Sequence, residues 1–126
     1  MKELVAVTQM GWKKKIKKCC IEAGTYKPIF DAVIDTLAST MAHRDAALED
    51  YAKTGGKPIV KHTNQGGNTN LVKNPALVLV CDLNAQALTY WRELGLTPAG
   101  LKKLNEQAIK IEGKKSALES ALEAIT

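Results

Sequence analysis

Between Asn74-Pro75 and Gly95 lies a segment that is apolar around most of a helix. Asn74 suits an N-cap, Pro75 the first helical position and Gly95 a left-handed stop. Leu77, Val80, Cys81, Leu88 and Trp91 form one stripe along it. Leu79, Leu83, Ala87, Tyr90 and Leu94 form a second. A helix with two such stripes has to be covered on two sides. Leaving one side wet costs roughly 25 cal/mol per Å² of apolar area. A chain of 126 residues has the length of one domain, and its other main helices can cover one side. The second side calls for another subunit, unless the linker or the C-terminal helix folds back over it. The subunit reading marks Leu79, Leu83, Tyr90, Trp91 and Leu94 as an oligomer interface.

The rest of the chain supports a mainly α fold, a helical hairpin-type core of three to five helices in a single domain over 1–126. The basic N-terminal helix occupies 1–24. From Trp12 its apolar residues fall at Trp12, Ile16, Cys19, Cys20 and Ala23, one helical stripe closed by Gly24. Pro28 then opens a helix over 28–53 with Phe30, Val33, Ile34, Leu37, Met41, Leu48 and Tyr51 on one face. Arg44 falls among them, with two readings: a head that snorkels to solvent, or a specific interhelix pair. Thr54-Gly55-Gly56 and Pro58 end that helix. In the linker 54–74, Ile59–Thr63 and Thr69–Val72 are β-branched runs around Asn64-Gln65-Gly66-Gly67-Asn68, the pattern of a small β-hairpin. The third helix spans 75–95. Thr97-Pro98 starts the C-terminal helical region, 97–126, along Leu101, Leu104, Ala108 and Ile111. Either Gly113 breaks it and Ser116–Glu119 caps a last short helix, or one bent helix continues through Gly113.

Charge is segregated. Residues 1–27 carry +5, residues 28–53 carry −3 and residues 54–74 carry +3, within a chain total of +5. A cationic pole is what an anionic polymer would seek, although a solvated face is the more ordinary reason for one. On the first helix Lys14, Lys17 and Lys18 cover the side opposite the apolar stripe, with Lys13 and Lys15 flanking it. Lys57, Lys61 and Lys73 extend the positive track along the linker. Asn64, Gln65, Asn68 and Asn70 are candidates for polar base contacts, and turn chemistry explains them equally well.

Catalytic chemistry has little to stand on. Three cysteines and two histidines match no metal spacing, and no flanking motif pairs a cysteine with His43 or His62. The cysteines read as reduced and mostly buried in a cytoplasmic protein. Asp31 with Asp35 and Asp45 with Glu49 share helix faces and read as a solvated acidic surface. Gly55-Gly56-Lys57 lacks phosphate-loop spacing. No enzyme, cofactor or metal is expected. The longest apolar run, Ala76 to Cys81, is far short of the roughly 20 residues of a bilayer span, and no secretory signal is recognisable.

Three pieces in order carry a resemblance: Thr63-Asn64-Gln65-Gly66-Gly67-Asn68, then Val72-Lys73-Asn74-Pro75, then Leu94-Gly95-Leu96-Thr97-Pro98 closed by Lys103-Leu104. Over about residues 12–104 the chain resembles the small subunit of a tailed-phage terminase, in the branch often encoded near a phage HNH endonuclease. The resemblance implies a non-catalytic DNA-packaging protein in the host bacterial cytoplasm. Such a protein assembles as an oligomeric ring and binds double-stranded viral DNA. It delivers that DNA to a large subunit that holds the ATPase and nuclease, and it regulates that subunit. An HNH endonuclease is a further partner, and a membrane is not. Family members often follow the second proline with an arginine-containing run. Here Ala99-Gly100-Leu101-Lys102-Lys103 stands in its place, which leaves Lys102 and Lys103 as the basic residues. No helix-turn-helix with its own recognition helix is recognisable near the N-terminus. The residues expected to meet DNA are Lys13, Lys14, Lys15, Lys17, Lys18, Lys57 and Lys61. The competing readings are a scaffold or adaptor that never touches DNA and a small dimeric DNA-binding regulator.

Overall fold

The computed structural model describes residues 2–125, with side chains from Thr8 onward. Four α-helices and one two-stranded sheet make up the described residues. They are α1 (Lys2–Ala23), α2 (Asp31–Lys53) after a single 3-10 turn at Pro28–Phe30, α3 (Pro75–Glu93) and α4 (Pro98–Ile125). Between α2 and α3, β1 (Ile59–Thr63) and β2 (Thr69–Lys73) pair antiparallel, with Ile59 opposite Lys73 and Thr63 opposite Thr69. No described helix is long and apolar enough to cross a membrane.

The core lies where α2 is sandwiched between α1 and α3. Ile16 and Cys20 enter it from α1, Ile34, Leu37, Ala38 and Met41 from α2, and Ala87 and Leu94 from α3. Small side chains at Ala38, Ala42, Ala47 and Ala87, all buried, let the helices approach closely. Trp12 and Trp91 close one edge of the core in a T-shaped contact, with ring centroids 6.5 Å apart.

Polar side chains of α1 meet α2 at two separate points. Gln9 Nε2 donates to Asp35 Oδ1 at 3.3 Å and Lys13 Nζ approaches the same oxygen at 3.7 Å. Trp12, within the same turn, donates its indole N–H to Asp45 Oδ2 at 2.7 Å. Asp35 and Asp45 stand about 15 Å apart along α2. One turn of α1 reaches both through long side chains that diverge along α2.

Two polar clasps hold α2 and α3 antiparallel. At one end the Thr25 hydroxyl donates to the Leu94 carbonyl at 2.8 Å, tying the α1–α2 connector to the end of α3. At the other end Asn74, only 2% exposed, meets every need of a buried amide. Its Oδ1 caps α3 by accepting from the Ala76 N–H at 3.0 Å. Its Nδ2 donates to Thr54 Oγ1 at 2.8 Å and to the Lys57 carbonyl at 2.9 Å. The Asn74 backbone N–H donates to the Pro58 carbonyl at 2.8 Å. The base of the hairpin is therefore pinned, while residues 61–71 beyond it are exposed.

Between α3 and α4, Gly95 adopts φ +72°, and a Cβ there would meet Leu104 Cδ1 at 2.7 Å and Thr25 Cγ2 at 2.9 Å. Thr97 Oγ1 then caps α4, accepting from the Gly100 N–H at 3.0 Å.

The helix boundaries and the hairpin follow the sequence reading closely. Of the two courses past Gly113, the continuous one holds, and α4 runs unbroken to Ile125. Four details correct it. First, the covered line of α3, Val80, Ala87 and Leu94, takes one residue from the first stripe and two from the second. Leu94 is buried in the chain's own core, with Tyr90 and Trp91 half-buried against it. Second, Asp31, Asp35 and Asp45 are not simply a solvated acidic surface. Each accepts a hydrogen bond from α1 or the connector, Asp31 from Tyr26 Oη at 2.9 Å. Third, Cys81 is exposed, while Cys19 is half-buried and Cys20 buried. Fourth, Arg44 neither escapes to solvent nor reaches a distant acid. Its Nη2 and Nε lie 3.0 and 3.1 Å from Asp45 Oδ1, with the guanidinium 5.8 Å from the centre of the Trp12 ring.

Candidate nucleic-acid interface

Ile16 and Cys20 anchor the inner face of α1 in the core, which turns the lysine run outward. Lys13, Lys14, Lys15, Lys17 and Lys18 are all exposed, but they are not equivalent. Lys13 is drawn toward Asp35. Lys15 Nζ lies 4.8 Å above the Trp12 ring and Lys17 Nζ lies 5.0 Å above the Tyr26 ring. Such cation–π contacts steer a flexible lysine while leaving its charge available. Among the described residues, Lys14 and Lys18 make no ion pair or ring contact. They stand one turn apart on the same face, about 6 Å along the axis. They form the least committed part of the cationic surface.

The hairpin supplies the second group. Strand alternation places Ile59, Lys61 and Thr63 on one face of the ribbon, together with Thr69, Leu71 and Lys73 from the opposite strand. Val60, His62, Asn70 and Val72 form the other face. Lys57 precedes β1 at the pinned neck and is exposed. At the tip, Asn64 Oδ1 accepts from the Asn68 N–H at 3.0 Å, so the Asn64 side chain is spent on the turn. The hydroxyls of Thr63 and Thr69 pair at 3.0 Å across the last rung. Gln65, Asn68 and Asn70 keep exposed side chains whose amides are not used in the turn. Turn chemistry therefore absorbs one of the four amide candidates. Lys61 and Lys73 lie on one ribbon face, a juxtaposition that depends on strand register and is invisible in a linear charge count.

A third surface is apolar. On α3, Val78 and Leu88 are 41 and 48% exposed on the flank that carries Cys81, and Leu79, 49% exposed, lies on the opposite flank. Neither the hairpin nor α4 covers them. Together with Pro58, Ile59 and Lys73 of the hairpin neck, Leu77, Val78 and Cys81 of α3 line an open groove of about 470 Å³. Leu79 and Leu83 of the expected interface lie one turn apart on the other flank, with Leu83 half-buried. Val78 was not among the expected residues. Its place one turn before Cys81 on the helix is the signal that could have found it.

Lys102 and Lys103 stand exposed in the first turns of α4. Lys103 borders a second cleft with Arg92, Glu93 and Gln107, where acid and base alternate.

Neither the curated proteins nor the solved structures give a match. The family model described as "phage terminase, small subunit" matches residues 9–110. That match takes in α1 from Gln9, all of α2, the hairpin, α3 and the first half of α4, including both polar clasps and the Gly95 turn. The chain therefore belongs to the phage terminase small-subunit family, whose role is in phage DNA packaging.

Proposed function

We propose that the chain is the DNA-binding, non-catalytic component of a packaging terminase. It assembles as a ring of identical copies and presents viral double-stranded DNA to the large subunit, whose ATPase and nuclease it regulates. The observation that carries this reading is the outward lysine face of α1, with Lys14 and Lys18 uncommitted, on a member of a packaging family. Lysines act on phosphates as point charges and read no sequence. Sequence preference then falls to the β-ribbon. A two-stranded ribbon fits the major groove, and Lys61, His62, Gln65, Asn68 and Asn70 project from it.

Exposed apolar residues on both flanks of α3, Leu79 beside Leu83 on one and Leu88 beside Cys81 on the other, support self-association, since single copies leave them wet. Ring closure would gather the lysine faces of many copies along one duplex, so that weak contacts sum by avidity. The host bacterial cytoplasm is where such a complex would work, and a phage HNH endonuclease is a further candidate partner.

Fluorescence anisotropy with a labelled duplex tests the DNA site, comparing wild type with the K14E/K18E double variant. The variant should lose binding by about tenfold or more at moderate salt. Unchanged binding would remove the α1 face from the site. A scaffold that never touches DNA would give no binding in either protein. Native mass spectrometry tests the ring, because a dimeric regulator would show only two copies.

A further inference from the structure

Beyond its pinned neck the β1–β2 ribbon is open on every side, with residues 61–71 all exposed. Its charge is one-sided, since residues 54–74 hold three lysines and no acid. Lys61 and Lys73 share one face of the ribbon and make no ion pair among the described residues. Leu71 sits between them on that face and is 73% exposed. It lies directly across from Lys61, and its neighbours along β2 on the same face are Thr69 and Lys73. A leucine set among cations and hydroxyls is poorly suited to the core of a protein–protein interface, which excludes charge. The opposite face is half-covered at its base, where Val60 and Val72 are half-buried. The open face is therefore the one that carries Lys61 and Leu71.

We propose that this face lies against base edges in the major groove, where Leu71 recognises a thymine by its 5-methyl group and Lys61 takes a guanine of the adjacent base pair. The inference rests on the duplex-binding reading above and narrows its sequence preference to one ribbon face. Two strands about 5 Å apart, with their side chains, fit a groove about 12 Å wide. Cross-strand partners stand about 5 Å apart between Cα atoms, and base pairs stack about 3.4 Å apart, so Lys61 and Leu71 reach neighbouring steps. The thymine methyl is the apolar group among the major-groove edges, which gives a single leucine a specific partner there. Guanine presents two acceptors, O6 and N7, to a lysine ammonium. Lys73, nearer the neck, meets phosphate and adds no sequence information. The α1 lysines then supply affinity, and the Lys61–Leu71 rung supplies preference for a thymine beside a guanine.

Methyl deletion in the DNA tests it with the full chain. The probe is a duplex selected by the wild-type protein from a random-sequence pool. Each thymine in turn is replaced by deoxyuridine, which removes only the methyl group. The expected result is at least one position where the replacement weakens binding by about fourfold, the worth of one buried methyl. Leu71→Ala, at an exposed site outside the core, should bind the thymine duplex about fourfold more weakly and lose nothing further with deoxyuridine. Its salt dependence should match wild type. Lys61→Gln should lose the preference for guanine beside that thymine. The K14Q/K18Q variant should flatten the salt dependence yet keep its sensitivity to deoxyuridine, which separates the ribbon from the α1 face. Wild-type binding without sequence preference, indifference to every deoxyuridine, or equal sensitivity in L71A would each overturn the proposal and leave the α1 reading standing. Absence of all duplex binding would overturn both.

Discussion

The Asn74 side chain donates to Thr54 Oγ1 at 2.8 Å, joining the last turn of α2 to the first turn of α3 across the hairpin neck. The same amide group holds the Lys57 carbonyl, and its oxygen caps α3. One residue thus fixes where the ribbon leaves the helices.

Replacing Asn74 by alanine removes the cap and strands two acceptors. The expected loss is about 2–4 kcal/mol of unfolding free energy, read from urea titration. Asn74→Asp keeps the capping acceptor but cannot donate to Thr54 or Lys57. It should fall between wild type and alanine. If the aspartate variant matches wild type, the amide donations hold nothing together.

At the other end of α3, Gly95→Ala forces a methyl group toward Leu104 and Thr25 in a left-handed conformation. A cost of about 1–3 kcal/mol is expected, with a lower Tm by calorimetry. An alanine variant as stable as wild type would mean that α4 does not seat against this turn.

Trp12→Phe removes the indole N–H from Asp45 but keeps most of the ring area. Asp45 retains Arg44, so the loss should be about 1–2 kcal/mol. The double variant with Asp45→Ala should show clear non-additivity, since both changes break one contact. Additive losses would place Trp12 and Asp45 in separate interactions.

Burial pushes the Cys20 thiol above its ordinary value, against a smaller lowering by the Thr25 hydroxyl and a further rise from Cys19. The native state holds this proton more tightly than the unfolded chain. Its contribution to stability is therefore complete below the ordinary thiol pKa of 9.0 and is lost as pH rises through the native value. Alkylation followed by mass spectrometry should modify exposed Cys81 first and Cys20 only on unfolding. Rapid native labelling of Cys20 would contradict its place in the core.

Much of the fold is legible in the sequence because its boundaries rest on local chemistry. Asn74-Pro75, Gly95 and Thr97-Pro98 declare helix boundaries through their own side chains and backbone preferences: the two Pro pairs open α3 and α4, and Gly95 closes α3, as expected. Facing is less legible. Two apolar stripes on α3 show that two sides are greasy, but not that Val80, Ala87 and Leu94 form the inner line. The i, i+4 spacing of Asp31 and Asp35 shows that they share a side. It does not show that Gln9, Lys13 and Tyr26 come to meet them, because the placement of α1 against α2 has no signature in α2. The lysine face of α1 was readable as a face. The orientation of Lys15 and Lys17 by Trp12 and Tyr26 depends on side-chain geometry that spacing does not encode.

Dependence of duplex binding on salt is the most direct test of the proposed function. For a site built of lysine–phosphate contacts, the logarithm of the association constant should fall linearly with the logarithm of salt concentration, by about 0.9 per phosphate neutralised. Substituting Lys14 and Lys18 with glutamine should flatten that slope by about two for each copy engaged. A slope that is already flat in the wild-type protein, or one that the double substitution leaves unchanged, would contradict DNA binding by this face.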